Sequence, residues 1–460
     1  MPNMRIVTVG GGVVGSSLAE HLLKDGHSLA LIEADPNTCK ALVNKHDMQI
    51  VVGSGSSPST LKEAGIEGAD LVLAVTPNDE VNMAVCAIAQ QHEVPQRIAR
   101  LRGTEFHKGN PTFDIEKIGV TDVIHPEQVM VDHILQYVQT PHAVESANFE
   151  HGKVLLRGYR IRDNMPMAGK TPQEIREEIA PTVVLFAAIE RAGRGMIPYG
   201  NTRIEPGDIV YTLFPRESID VFLSLVGQER KKRRKIIITG DSYALTELSR
   251  ALDKTDHSVV VVDPDLEQAN RIAGMFDDIE VIHGDCTDHA VLRDINVENA
   301  SFLISVSNEA DYNMLSTLLA KAEGAHEVIA TSGEARHDRL FKSIGIDHVI
   351  NPRLTAAREI LEIIARGHIG AAVQLSNIDV EAVRFTVEPE SEIVGQKIKQ
   401  IARKLKRGSI IGVIVRDDSM ILPDGETVVE ANDHLIVIAY HKNLQTIASL
   451  FKPRRFFSRG

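Results

Sequence analysis

Short apolar runs alternate with amphipathic stretches in the first part of the chain. The runs are, in order, RIVTV, LALI, QIVV, LVLAVT, RIARL and DVIH. They are almost continuously apolar, which is typical of parallel strands covered on both faces. The stretches GSSLAEHLLKDG and EVNMAVCAIAQQH lie between them and place apolar residues three and four positions apart, so both predict helices. This alternation predicts a doubly wound parallel sheet.

A second pattern follows and predicts a smaller domain. An amphipathic stretch over 172–179 precedes the apolar runs TVVLFAAIE, GMIPY and DIVYTLF, with turn signals at RAGRG and EPGD. Short apolar runs separated by such turns are typical of hairpins. This segment therefore predicts a compact α+β domain.

The chain then repeats the whole plan. RIVTVGGG from Arg5 corresponds to KIIITGDS from Lys235, with Gly240 standing 230 positions after Gly10. Further along, Gly284 stands 231 positions after Gly53. A register held over that length indicates an internal duplication. We predict an α/β protein of two tandem repeats, each a Rossmann-like doubly wound parallel sheet followed by a small α+β domain.

The predicted boundaries follow from the two copies. The Rossmann-like domains are expected over 1–140 and 236–368, and the small domains over 141–227 and 369–453. Between the repeats, at 228–235, lies the basic run QERKKRRK. A solvated linker is the favoured interpretation, and a phosphate or lipid patch is the alternative.

Composition narrows the class of protein. The 50 basic and 63 acidic residues give a formal net charge of −13, which argues against nucleic-acid binding through phosphate neutralisation. The three cysteines are far apart and the histidines lack ligand spacing, so neither a disulfide framework nor a metal site is predicted. Cys286 is expected to be a packed thiol, with redox sensing as the alternative. No apolar stretch approaches the ~20 residues of a membrane helix, so we expect a cytoplasmic protein.

A glycine motif directly follows the first strand and opens the first helix. Its sequence, GGGVVG, fits G-x-G-x-x-G. Gly10 allows a tight turn, Gly12 lets the backbone approach a pyrophosphate, and Gly15 lets helix and strand pack closely. The N–H groups from Gly11 to Val14 are expected to face the phosphates, assisted by the helix dipole.

An acidic residue ends the second strand of each repeat. Glu33 stands 18 residues after Gly15, where a carboxylate can accept hydrogen bonds from both ribose hydroxyls and repel a 2′-phosphate. This favours NAD-type or adenine mononucleotides over NADP, with a mere strand cap as the alternative. Asp263 is the equivalent residue in the second repeat.

The second glycine motif is degraded. Ser242 and Leu245 replace the second and third glycines, and a side chain now stands where the backbone should meet a phosphate. Nucleotide binding at the second repeat is therefore left open, with a vestigial site as the alternative.

Together these motifs resemble the tandem RCK (regulator of potassium conductance) domain family. The resemblance covers essentially the whole chain and is carried by GGGVVG, VVGSGSSPSTLKEAGIEGADLVLAVTPNDEVNMAV, RIARLR and HGDCTDHAVLRDI. It implies a peripheral ring, a homotetramer or dimer of dimers, on the cytoplasmic side of a potassium-transporting membrane subunit. It also implies that NAD(H) and, as further candidates, ATP or ADP bind the chain and gate potassium uptake.

The resemblance also implies a set of nucleotide contacts. With the glycine motif included, those of the first repeat are Gly10, Gly11, Gly12, Val13, Val14, Gly15, Glu33, Gly53, Ser54, Val75, Thr76 and Arg100. Those of the second repeat are Gly240, Asp241, Ser242, Asp263, Gly284, Asp285 and Ser307. The family's usual Asp after the third-strand glycine is replaced by Ser54, and Arg100 is aligned with Ala330. The two sites are therefore expected to differ in ligand preference.

An NAD-dependent oxidoreductase is the alternative function. Such an enzyme needs a proton donor or acceptor beside the nicotinamide and a substrate domain that encloses a pocket. The sequence offers no Tyr-x-x-x-Lys motif and no His–Asp pair repeated in both copies. We therefore predict a regulatory protein without catalytic residues.

Overall fold

The computed structural model describes two compact units. The described residues are 3–43, 48–103, 105–106, 110, 112–228, 233–333, 338, 340–341, 343–365, 372–375, 378–405, 408–417 and 419–451. One unit is formed by 1–134 with 232–361, and the other by 135–231 with 362–460. Each unit thus takes one segment from each repeat. Of the predicted basic linker, 229–232 lie outside the described residues.

The first unit contains two parallel six-stranded sheets, and the first repeat contributes one of them. Its strands are β1 (Arg5–Val9), β2 (Ser28–Glu33), β3 (Gln49–Val52), β4 (Leu71–Ala74), β5 (Gln96–Arg100) and β6 (Asp122–Ile124). Its helices are α1 (Val13–Lys24), α2 (Pro36–Val43), α3 (Pro58–Glu63), α4 (Asp79–Gln91) and α5 (Pro126–Gln139). The strand order is β3-β2-β1-β4-β5-β6, with every neighbouring pair parallel.

The second sheet of this unit has the same topology. With labels in chain order, its strands are β12 (Lys235–Thr239), β13 (Ser258–Asp263), β14 (Glu280–His283), β15 (Phe302–Ser305), β16 (Glu327–Thr331) and β17 (His348–Ile350). Its helices are α8 (Tyr243–Asp253), α9 (Leu266–Ala273), α10 (His289–Asp294), α11 (Ala310–Ala322) and α12 (Pro352–Ala365). The order β14-β13-β12-β15-β16-β17 matches that of the first sheet strand for strand.

Apolar strands and local capping explain these elements. All four residues of β4 and of β15 are buried, as expected for central strands covered on both faces. Helix α4 begins where the side chain of Asn78 accepts a hydrogen bond from the N–H of Val81, and Asp79 and Glu80 complement the helix dipole in its first turn. The predicted doubly wound α/β sheets are confirmed in both repeats.

The second unit contains two antiparallel five-stranded sheets. The first has strands β7 (Glu145–Phe149), β8 (Val154–Arg160), β9 (Leu185–Arg191), β10 (Arg194–Met196) and β11 (Ile209–Pro215), with helices α6 (Pro172–Ile179) and α7 (Ile219–Leu225). The second has strands β18 (Ala372–Gln374), β19 (Val380–Thr386), β20 (Ser409–Arg416), β21 (Ser419–Ile421) and β22 (His434–Tyr440), with helices α13 (Ile398–Ala402) and α14 (Leu444–Phe451). Their orders, β10-β9-β11-β8-β7 and β18-β19-β22-β20-β21, are the same topology read from opposite edges.

The same ion-pair clamp closes both small sheets. Arg191 donates through Nε to Asp208, and Arg416 donates through Nε to Asp433, at 2.8 Å in each case. Both aspartates are almost completely buried. One hydrophobic cluster contains residues of both sheets, among them Leu156 and Ile436, so the two small domains share a core.

Two further expectations from the sequence concern the strand at GMIPY and membrane-spanning helices. The run GMIPY was expected to be a strand, but β10 ends at Met196. Pro198 follows two residues later and has no N–H to donate to a ladder. Among the described residues, no helix has the length and apolar character needed to cross a membrane.

Candidate nucleotide-binding site

The turn after β1 requires glycine at its first position. Gly10 has a φ of +108°, and an added Cβ would lie 3.1 Å from the backbone nitrogen of Thr76. Its N–H donates to the carbonyl of Ile32 at 2.9 Å, which joins the turn to β2. L-residues with a side chain rarely adopt such a φ, so this tight turn depends on glycine, as the sequence predicted.

The other two glycines of the motif differ in what surrounds them. A Cβ on Gly15 would lie 1.9 Å from the carbonyl oxygen of Gly10, so the close contact between α1 and the turn requires glycine. A Cβ on Gly12 would meet nothing within 4 Å, and the φ of Gly12 is an ordinary −64°. The protein's own packing therefore does not require glycine at position 12. The open space lies at the N-terminus of α1, where the first N–H groups have no acceptor within the helix.

Glu33 faces the glycine loop from the end of β2. Its Oε2 accepts from the N–H of Gly11 at 2.6 Å, and its Oε1 accepts from the N–H of Asp35 at 2.9 Å. The N–H of Gly11 is thus directed at Glu33, whereas the sequence placed it toward phosphates. The Glu33 side chain is partly exposed, and its oxygens have lone pairs left for further donors.

A buried asparagine joins the residues that follow β4 to the end of β5. Val75 and Thr76 follow β4, and Asn82 accepts from both the N–H and the hydroxyl of Thr76, at 3.0 and 2.7 Å. The amide of Asn82 donates to the carbonyl of Arg100 at 2.7 Å and so connects the ends of β4 and β5. Asn82 is completely buried.

Sequence reasoning missed this asparagine, although the repeat contained a signal for it. Asn313 stands 231 positions later and accepts from the N–H of Ser307 at 2.8 Å. Its amide donates to the carbonyl of Thr331 at 3.0 Å. Both copies have an asparagine followed by a methionine at this offset. Interpreting that shared pair as a common core contact would have identified Asn82.

The residues that follow β3 lie at the same edge of the sheet. The N–H of Gly53 donates to the carbonyl of Glu33 at 2.9 Å, and a Cβ on Gly53 would lie 3.0 Å from the hydroxyl of Thr60. The hydroxyl of Ser54 lies 3.0 Å from that of Ser56. The structure thus brings the predicted residues after β1, β2, β3 and β4 together at the carboxyl edge of the parallel strands, where sheets of this class bind ligands.

Arg100 ends β5 at the same edge. Burial lowers the pKa of its guanidinium, and the nearby charges of Arg102 and Arg353 lower it further. Its Nε is buried and has no hydrogen-bond partner among the described residues. A buried cationic donor of this kind suits an anionic ligand group.

The predicted counterpart of Arg100 was wrong by one residue. In the first sheet Ala99 pairs with Ala74, and in the second Ala330 pairs with Ser305. Arg100 therefore corresponds to Thr331, not to Ala330. The two strands, RIAR and VIAT at their ends, are similar apolar runs, and letters alone do not fix their register.

In the second glycine loop, two side chains form hydrogen bonds to the residues after β15. Gly240 keeps the positive φ, +132°, and a Cβ there would lie 2.5 Å from the nitrogen of Ser307. The Oδ1 of Asp241 accepts from the hydroxyl of Ser307 at 2.8 Å and from the N–H of Asn308 at 3.1 Å. The hydroxyl of Ser242 donates to the carbonyl of Val306. At the position of the third glycine, Leu245 is completely buried.

The acidic residue of the second repeat is buried, and each of its oxygens accepts a hydrogen bond. Asp263 has no exposed surface, and its oxygens accept from the N–H of Asp265 at 2.9 Å and from the amide of Gln268 at 2.7 Å. Burial raises the pKa of its carboxyl. The N–H of Gly284 donates to the carbonyl of Asp263 at 3.0 Å, and the side chain of Asp285 accepts from the N–H of Thr287 at 2.8 Å.

The cysteine beside this edge is a packed thiol. Cys286 is completely buried, and burial raises its pKa to about 12. A thiol with such a pKa is protonated at neutral pH and is therefore a poor nucleophile. This geometry supports the packing interpretation over redox sensing.

Comparison with known proteins gives a consistent result. The TrkA-N domain family matches 6–126 and 236–352, and the TrkA-C domain family matches 382–452. The Trk system potassium uptake protein TrkA of Halomonas elongata is 30% identical over 454 residues, covering 98% of this chain and 99% of that protein. The GsuK channel bound to NAD has a similar fold, with a TM-score of 0.61 and 16% identity over 98% of this chain and 79% of that chain. GsuK bound to ADP aligns with a TM-score of 0.50 and 12% identity over 80% and 70% of the two chains.

Two parallel Rossmann-type sheets, each followed in sequence by a small antiparallel sheet, define a protein of tandem RCK-domain architecture. The chain belongs to the family of Trk system potassium uptake proteins TrkA, since TrkA-N matches cover more than half of it and the Halomonas relative matches it from end to end. The resemblance inferred from the sequence motifs is thereby confirmed. The individual site residues stay predictions.

Proposed function

We propose that this chain is a nucleotide-binding regulatory subunit, without catalytic residues, that controls a potassium-transporting membrane subunit. The observation that carries the nucleotide part is the open space at Gly12, where the protein's own packing does not require glycine. Membership of a family of potassium uptake proteins supports the role in potassium uptake, and the similar fold of the GsuK channel bound to NAD supports NAD(H) as the ligand. ATP and ADP are further candidate ligands.

In this proposal the pyrophosphate of NAD(H) lies at the N-terminus of α1. The N–H groups of Gly12, Val13 and Val14 are aimed at it, and the helix dipole favours its negative charge. Arg100, whose Nε has no hydrogen-bond partner in the described part of the chain, supplies a cationic donor at the same edge. In this proposal these groups hold the ligand.

Glu33 would select the ribose. Each of its oxygens accepts one backbone N–H and keeps a lone pair that a ribose hydroxyl can use. A 2′-phosphate at this place would meet the carboxylate charge. The site is therefore proposed to prefer NAD(H) over NADP(H).

Regulation would follow from differential affinity. A ligand that binds two conformations of the assembly equally well shifts nothing, whereas unequal affinities change their populations. We propose that nucleotide binding changes the populations of two conformations of a tetrameric ring on the cytoplasmic side of the membrane. The conformations differ in whether the attached transporter conducts.

The test is potassium flux in liposomes that contain the membrane subunit. Flux would be measured with no added chain, with the wild-type chain, and with Gly12→Asp, each with NAD⁺, NADH, ADP and ATP in turn. We expect the wild-type chain to make flux depend on at least one nucleotide, and Gly12→Asp to remove that dependence. Potassium flux that changes neither with the added chain nor with any of the nucleotides would contradict the proposed function.

A further inference from the structure

The second Rossmann-type domain differs from the first where a phosphate would enter. We infer that Asp241 and Ser242 close the second glycine loop, so that the chain takes up one nucleotide, at the first loop only. This inference rests on the proposed function, because it concerns the same ligand. It assigns two residues as determinants of which repeat binds.

Two hydrogen-bond donors at the second site are already engaged by Asp241. Asp241 accepts from the hydroxyl of Ser307 and from the N–H of Asn308, and so connects the loop after β12 with the loop after β15. In the first repeat the residue equivalent to Asp241 is Gly11, which has no side chain. The equivalent of Asn308 is Pro77, which has no N–H. The first repeat therefore cannot form this connection.

The second glycine loop also carries the negative charge of Asp241. The carboxylate of Asp241 lies close enough to Asp263 to raise the pKa of that carboxyl, in addition to the effect of burial. A phosphate placed at this loop would meet the same negative charge. Juxtaposed like charges at a binding site oppose association.

The carboxylate that would accept from a ribose is also less accessible in the second repeat. Asp263 is completely buried and both of its oxygens are engaged, one by Asp265 and one by the side chain of Gln268. Glu33 is partly exposed and is engaged by backbone N–H groups only. A ribose could approach Glu33 but would have to displace Gln268 to reach Asp263.

The two glycine loops also differ in the space at their second glycine position. A Cβ at Gly12 would meet nothing within 4 Å, so the backbone is open to a ligand. At the equivalent position the hydroxyl of Ser242 bonds across the loop to the carbonyl of Val306. A phosphate would therefore have to break this bond before it reached the N–H groups of α8.

The test is the stoichiometry of nucleotide binding to the full chain, measured by calorimetric titration with NADH and, separately, with ADP. We expect the wild-type chain to bind one equivalent of its ligand. Two equivalents would overturn the inference and leave the proposed function intact. No binding of either ligand by folded chain would overturn the proposed function as well.

A gain-of-binding variant makes the assignment to these two residues falsifiable. The double variant Asp241→Gly, Ser242→Gly should bind two equivalents, and the same variant with Gly12→Asp added should return to one. Asp241→Asn is the matched control for charge, because it keeps the shape of the side chain. A double variant that is folded by circular dichroism and still binds one equivalent would show that other residues close the second loop, against the inference.

Discussion

The two Rossmann-type domains have the same strand order and the same backbone hydrogen bonds to a buried asparagine, yet they differ at the residues that face the proposed ligand. Asn82 and Asn313 each tie the loop after the fourth strand to the end of the fifth. Gly12 leaves its space open, whereas Ser242 fills the equivalent place and bonds across the loop. A residue that makes the same bonds in both copies serves the fold. Where the space beside a residue is open in one copy and filled in the other, ligand binding is the better explanation for the difference.

The small domains illustrate the first half of this rule. The ion pairs from Arg191 to Asp208 and from Arg416 to Asp433 have Nε bonds of the same length, and both aspartates are almost completely buried. The two repeats therefore share this contact. Differences between the repeats in ligand binding are therefore expected in the first unit, at its glycine loops.

The largest effect should come from Gly12→Asp. The side chain has room to be accommodated, so the fold should persist, but the carboxylate would stand where the phosphate binds. Nucleotide affinity should fall by about 4 kcal/mol or more, the scale of a like-charge contact at an interface. Calorimetric titration measures it, with Gly274→Asp as a control at an exposed glycine of ordinary φ. Unchanged affinity in folded Gly12→Asp would place the ligand elsewhere.

The next largest effect should be common to both copies. Asn82→Ala and Asn313→Ala each leave several buried backbone and hydroxyl groups unpaired, and each should lower the free energy of unfolding by about 3 kcal/mol. Urea unfolding measures the loss. Only Asn82→Ala should also weaken nucleotide binding. Loss of binding in Asn313→Ala to the same degree would remove the distinction between the repeats.

A smaller effect should separate the two acidic residues. Glu33→Ala removes an acceptor for the ribose and should weaken NAD(H) binding by about 2 kcal/mol, the scale of a hydrogen bond to a charged group. Asp263→Ala should leave affinity unchanged, because that carboxyl is buried and engaged within its own repeat. The dissociation constants for NADH report both. Equal losses in the two variants would mean that Asp263 also contacts ligand.

The smallest effect concerns pH. Burial raises the pKa of Asp263 in the folded protein, so its contribution to stability is present below the unfolded value of 3.8 and is lost as pH rises through the folded value. The free energy of unfolding of Asp263→Asn, relative to that of the wild type, should therefore rise between pH 4 and pH 7. Urea unfolding at these two pH values tests it. A difference that does not change with pH would mean that the carboxyl is not disfavoured by burial.

Local signals were enough to predict much of the fold. Helix α6 begins where the sequence indicated, because Thr171 and Glu174 form a capping box and Pro172 occupies its first turn. The buried strands were visible as continuous apolar runs. The repeat itself predicted that both sheets would share one strand order, which the structure confirms.

Contacts between distant residues could not be predicted in this way. The bond from Asp241 to Ser307 joins side chains 66 positions apart, and no periodicity indicates it. The equivalence of Arg100 and Thr331 follows from the strand pairing in the two sheets, and the similar sequences of the strands do not show it. Periodicity also does not say which segments pack together, and the structure groups the two Rossmann-type segments in one unit and the two small ones in the other.

The most direct test of the account is hydrogen exchange of the whole chain, followed by mass spectrometry, with and without saturating NADH. The account predicts that NADH slows exchange in peptides covering 10–15, 33 and 53–54, and leaves their equivalents at 240–245, 263 and 284–285 unchanged. Equal protection of the two glycine loops would contradict the distinction between the repeats. Protection at neither loop, with NADH bound, would contradict the site itself.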